Sequence, residues 1–184
     1  MNNRRHMQNN LAMTVILISG TMLFATLLMG YSIYRSSSPM WPPMGSSKAP
    51  LGYPILSTIT LVLSSWFSHK VKEGVKNNDI RRARLNLDTT LSLGALFMGI
   101  QTMFWIQLKD AGVLANSGIF SSIMYGFTWI HAFHVILGLS SLIWLRFVLK
   151  TTTDNLWQKA LNVEKFWHFL GIIWLIMFFT LFVL

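Results

Sequence analysis

Five long apolar runs, divided by short polar stretches, organise this chain. They fall at approximately 11–34, 51–67, 87–108, 119–149 and 166–184. About 20 helical residues cross the roughly 30 Å hydrocarbon layer of a bilayer, and each run is close to that length. None alternates apolar and polar residues with period two, so helices are predicted and barrel strands are not. The second run is the shortest and opens near Pro54, a residue tolerated in a first helical turn, where its missing N–H has no partner to lose. The first run is too long for a signal peptide, lacks a small-residue cleavage pattern and is followed by four more spans. The expectation is an all-α, polytopic membrane bundle of five transmembrane helices, forming one domain over 1–184.

The polar positions set the orientation. Glu73, Asp79, Asp88, Asp110, Asp154 and Glu164 are placed in loops or at span ends, and nearly all the bases join them. Twelve Lys and Arg residues lie in the N-terminal segment, the second loop (Lys70 to Arg84) and the fourth loop; only Arg35, Lys48 and Lys109 lie on the other side. Basic loops stay cytoplasmic, so the N-terminus is expected in the cytoplasm and the C-terminus outside. Composition agrees: 53% of the 184 residues are hydrophobic and 11% charged. The net charge of +9 is split among three segments on one membrane face, which fits topology and anionic lipid better than nucleic acid. The absence of cysteine excludes disulfides, thiolate chemistry and Cys-based metal or c-type haem sites.

Polar residues inside the runs are the candidate chemistry. His131 and His134 share one helix face. Either they ligate a metal or haem with a third donor such as His168, or they hydrogen-bond to neighbouring helices beside a close-packed Gly138. With no cysteine and no acid in the middle of a run, the second reading is preferred. Gln101 reads as an interhelical hydrogen bond. Gly20, Gly30, Gly94, Gly99, Gly138 and Gly171 permit close helix approach. Most of the eight tryptophans, Trp167 among them, read as an interfacial belt. Trp41-Pro42-Pro43 reads as a stiff turn between the first two spans.

Taken in order, these motifs resemble subunit III of the haem–copper oxidases, in its short five-helix bacterial form. The resemblance rests on Ser19 to Arg35 followed by Trp41-Pro42-Pro43, Pro54 to Ser65, Arg84 with Leu87, Leu93-Gly94, Phe97 and Gln101, the His131-x-x-His134-Val-x-x-Gly138 run, and Phe166-Trp167-His168-Phe169 with Trp174. Three acids common in that family are absent: their places read Gly20, Phe104 and Gly171. Two family glycines near the histidine pair read Trp129 and Ala132.

The resemblance implies a non-redox subunit of a respiratory oxidase in the bacterial cytoplasmic (inner) membrane. It implies no catalytic, cofactor-binding or metal-binding residue in this chain, so that the isolated chain binds no haem, copper or zinc. Haem and copper would reside in partner subunits. The partners implied are the catalytic subunit I, subunit II and phospholipid, with a respiratory supercomplex as a further setting that the missing acids suit. Trp41, Pro42, Pro43, Gln101, His131, His134, Gly138, Trp167 and His168 would serve packing. The alternatives are an accessory protein of a nitric oxide reductase and an autonomous transporter or haem-binding membrane protein. Neither the electron donor nor the haem type follows from the sequence.

Overall fold

A computed structural model describes residues 2–38, 51–116, 118–151 and 155–183, with side chains from residue 10 onward. Five α-helices follow in order: α1 (Asn2–Ser37), α2 (Gly52–Lys76), α3 (Ile80–Asp110), α4 (Ile119–Thr151) and α5 (Leu156–Phe178), the last running into a π-helical turn, Phe179–Val183. No strand occurs among the described residues. Trp41-Pro42-Pro43 lies outside them.

Four of the helices, α1, α3, α4 and α5, are long and apolar enough to cross a membrane. The chain is therefore a multi-pass membrane protein. The second helix falls short of that apolarity for a reason visible in its packing. It buries Ser57, Thr60, Ser64 and Ser68 along one face and turns Ile55, Leu56, Ile59, Val62, Leu63 and Trp66 outward. Helices in lipid associate by close packing and hydrogen bonding, so small and polar residues face inward while the bulky apolar ones meet lipid. At 25 residues α2 has a length of about 37 Å, enough to span.

Two expectations about the connections change. The basic stretch from Lys70 to Arg84 is not a loop: α2 continues to Lys76 and α3 begins at Ile80. Only a tight turn separates them. Asn78 takes the left-handed conformation at φ 55°, and the Asp79 side chain caps α3 by accepting from the Arg82 N–H at 2.9 Å. Close approach at this turn needs Gly74, where a Cβ would lie 2.9 Å from the Ala83 nitrogen. Likewise, α5 begins ten residues before its apolar run, at Leu156. Polar residues there extend the helix beyond its hydrophobic part, because helix propensity and packing are indifferent to where lipid ends.

The main core joins all five helices, through Phe24 and Tyr31 of α1, Leu61 and Val71 of α2, Leu87 and Phe97 of α3, Val135 and Leu142 of α4, and Trp167 and Trp174 of α5. The first helix packs against α5 near Gly20 and is tied again at its far end, where the Tyr31 hydroxyl donates to the Thr180 carbonyl at 2.9 Å.

Candidate functional site

Trp167 stands where four helices meet. A Cβ on Gly94 of α3 would lie 2.9 Å from its Cη2, and one on Gly138 of α4 would lie 3.0 Å from its Cε3. The indole is thus bracketed by two helix backbones that only glycine lets approach. Its Nε1 donates to the Ser64 hydroxyl of α2 at 3.1 Å, and that hydroxyl donates onward to the Thr90 carbonyl of α3 at 3.2 Å. Trp174, one further stretch along α5, is also fully buried and donates to Thr58 of α2 at 3.0 Å. Neither tryptophan belongs to an interfacial belt. Seven residues apart, they share one face of α5, and packing turns that face inward, where a large ring with one polar atom can pack tightly and find a hydroxyl.

His131 and His134 come apart in role. Phe24, Phe97 and Trp174 surround His131, with ring centroids 6.1, 6.2 and 5.5 Å away. Neither ring nitrogen of His131 has a hydrogen-bond partner among the described residues, contrary to the expectation of bonds to neighbouring helices. His134 is half-buried, pairs its Nδ1 with the Ile130 carbonyl of its own helix at 2.8 Å, and packs on Phe24. Gln101 is likewise buried with neither amide atom partnered among the described residues, so the interhelical bond expected of it is not formed there.

The places of the three missing acids are filled. A Cβ at Gly20 would meet Phe169 Cζ at 2.9 Å, Phe104 is fully buried with its ring 5.6 Å from that of Phe182, and a Cβ at Gly171 would lie 3.3 Å from Ser65 Oγ. Aromatic rings fill the first two places, and the Ser65 hydroxyl, with Leu61 beyond it, closes the third.

His168 does not join the other two histidines. It faces Glu164, one turn earlier on α5, with its Nε2 3.6 Å from Oε1. His69 of α2 reaches the same oxygen with Nδ1 at 2.9 Å, and Lys72 Nζ takes the other carboxylate oxygen at 2.9 Å. Glu164 therefore is not a loop charge. It is 5% exposed, inside α5, and its burial is sustained by a cation and an imidazole. The carboxylate and its two imidazoles do not read as a unit along the chain, since His69 lies 95 positions from Glu164. The i, i+4 spacings of His69 with Glu73 and of Glu164 with His168 were the available signal. Around this end of the bundle lie further ties: Arg146 of α4 grips Asp88 of α3 through two nitrogens, and Arg84 Nη2 donates to the Leu149 carbonyl at 2.8 Å. Glu73, on the aqueous side, has its carboxyl held below the usual carboxylate range by a hydrogen bond from Lys70 and the charges around it.

Comparison with known proteins places the whole arrangement. The family model for cytochrome c oxidase subunit III matches residues 3–184. The chain belongs to the cytochrome c oxidase subunit III family. It is 29% identical over 177 residues to cytochrome c oxidase subunit 3 of Thermostichus vulcanus, covering 95% of this chain and 86% of that one. It is 28% identical over 175 residues to the Synechocystis sp. subunit 3, covering 92% and 73%. A probable subunit 3 of Nocardia farcinica is 29% identical over 174 residues, covering 92% and 85%. The Trp167 junction and the histidine pair therefore sit in a subunit III scaffold, whose family generally carries no cofactor of its own.

Proposed function

We infer that this chain is the non-redox subunit III of a bacterial terminal oxidase in the cytoplasmic membrane, oriented with its N-terminus inside. It flanks the catalytic subunit, holds phospholipid and prolongs proton-coupled oxygen reduction, while haem and copper reside in subunits I and II. The observation that carries the reading is the subunit III match over nearly the full chain. The Trp167 junction supports a scaffolding role, because its polar groups are spent on joining helices.

The lipid part has its own support. A groove of about 370 Å³ runs between α1 and α4, lined by Thr26, Gly30, Tyr31, Ser122, Gly126 and Phe127 among others. Above Gly30 and Gly126 nothing lies within 4 Å of where a Cβ would be. Those glycines leave an open, mostly apolar floor on which an acyl chain can lie.

The test is to purify the native complex through an affinity tag on this chain and identify its companions. A haem–copper catalytic subunit should co-purify, and deleting this chain should reduce the number of turnovers before inactivation. Purification of the tagged chain with no haem–copper subunit, or a Soret band from the chain alone, would overturn the reading.

A further inference from the structure

We propose that His69, Glu164 and His168 form a binding site for a zinc-type divalent cation that tethers α2 to α5. The three donor atoms lie within 4.8 Å of one another. Two of the three separations, 2.9 Å and 3.6 Å from Glu164 Oε1 to the His69 and His168 nitrogens, bracket what a tetrahedral ion requires. Zinc bonds of about 2.0–2.1 Å at tetrahedral angles put neighbouring donors roughly 3.3 Å apart. Side-chain adjustments of about an ångström bring the three donors, already within 4.8 Å of one another, onto one ion.

The surroundings are organised as a metal site needs. Glu73 Oε1 lies 3.5 Å from His69 Nε2, the ring nitrogen that faces away from Glu164. A carboxylate there holds the imidazole in the tautomer that leaves Nδ1 free to bind, as outer carboxylates do for metal-bound histidines. Lys72 engages Oε2 of Glu164 and leaves Oε1 to the two imidazoles. His69 and His168 are 46% and 37% exposed, so an ion can reach them at the molecular surface while Glu164 itself is buried. Two imidazoles and one carboxylate select a borderline ion such as Zn²⁺ over Mg²⁺ or Ca²⁺, which take oxygen cages. The fourth position opens toward the exposed histidines and would hold water.

The expectation that this chain binds no zinc weighs His131 and His134, with His168 as a third donor, and rests on the lack of cysteine and of an acid in the middle of a span. His131 and His134 belong to no such cluster among the described residues. The tertiary fold supplies a different set, from one helix that the polar loop reading had dissolved and one that began ten residues too late.

The lysine makes the idea distinguishable from a plain buried ion pair. A cation at Oε1 is repelled by Lys72, so Lys72→Met should tighten zinc binding, whereas a site that exists only as a Glu164–Lys72 pair would gain no metal affinity. The experiment uses the chelator-stripped oxidase complex or the full-length chain in detergent, titrated with Zn²⁺ against a chromophoric indicator and, separately, with Co²⁺. One zinc per chain is expected, with the visible absorption of four-coordinate cobalt. His69→Gln, Glu164→Gln and His168→Gln should each abolish one-to-one binding. Glu73→Gln should weaken it about 10-fold or more, and His134→Gln should leave it unchanged. Because Glu164→Gln strands Lys72, its fold is checked by circular dichroism, and the two histidine variants carry the test if it fails to assemble. Absence of stoichiometric zinc or tetrahedral cobalt in the wild-type chain overturns the proposal. So does binding that survives in the His69→Gln, His168→Gln double variant, or a Lys72→Met variant whose affinity falls.

Discussion

Gly94→Ala adds one methyl group at the point where α3 meets the Trp167 ring. The new Cβ would sit 2.7 Å from Leu139 Cδ2 and 2.9 Å from Trp167 Cη2. Leu139 is a flexible end and can rotate away. The indole has no such freedom: the opposite edge of its ring lies against Gly138, and its Nε1 is bonded to Ser64 at 3.1 Å. Overpacking of a tight core costs about 1–3 kcal/mol. For a chain of this size that lowers the melting temperature by about 2–4 °C per kcal/mol. The control is on the same helix: at Gly99 nothing lies within 4 Å, so Gly99→Ala should cost nothing and gain about 0.5–1 kcal/mol from helix propensity. Thermal unfolding of the full chain in detergent, followed by far-UV circular dichroism, reads the difference. Trp167→Phe removes the ring edge that the methyl strikes. In that background the Gly94→Ala loss should shrink by about 1 kcal/mol or more, a coupling of the size that touching residues show. If Gly94→Ala and Gly99→Ala melt alike, or if the Gly94→Ala loss is the same with Phe at 167, Trp167 is not the wedge between α3 and α4.

Other changes have equally definite signs. His131→Leu should cost less than about 1 kcal/mol and leave the haem spectrum of the complex unchanged, because no hydrogen bond of the described residues is broken and an apolar side chain enters an aromatic cage; a loss of 2 kcal/mol or more in detergent unfolding would mean that an imidazole nitrogen is partnered. Gly126→Leu should fill the groove between α1 and α4 and lower the phospholipid phosphorus that co-purifies with the complex, with unchanged phosphorus counting against a lipid there. Gly20→Glu should destabilise the chain by about 2–4 kcal/mol, since the acid must displace Phe169 and enter an apolar setting; Phe169→Leu alongside it should recover part of that loss. Cysteine placed at Asn77, in the turn after α2, should resist an impermeant thiol reagent added to intact spheroplasts, and ready labelling would invert the orientation. The Glu73 carboxyl, depressed first by the Lys70 hydrogen bond, favours the folded state above the ordinary carboxylate pKa and loses that contribution as pH falls through its lower folded value. In Lys70→Met its titration, followed by NMR, should move upward.

Much of the bundle was open to reading along the chain because lipid simplifies the problem. A run of about 20 apolar residues has few alternatives to a spanning helix. Family motifs in order, ending in Phe166-Trp167-His168-Phe169, carry the resemblance to subunit III without any knowledge of packing. Hydropathy could not tell which side of a membrane helix faces protein, since Leu and Ile are as content against lipid as against another helix. So α2, whose inner face is Ser57, Thr60, Ser64 and Ser68, read as the weakest span. Trp167 reads as a belt residue although it is buried. Nor could spacing say which partner a polar atom meets. His131 reads as hydrogen-bonded yet is ringed by aromatic side chains, and Glu164 reads as lying in a loop or at a span end yet is buried inside α5. Only the packing of α2 on α5 brings Glu164 to His69 and Lys72, across some ninety residues of chain. The sequence by itself determined the helices and the membrane, which depend on the apolar content of local windows. The tertiary structure decided which charges are buried and who pairs with them, because a charge survives in low dielectric only beside a partner that distant chain segments must carry there.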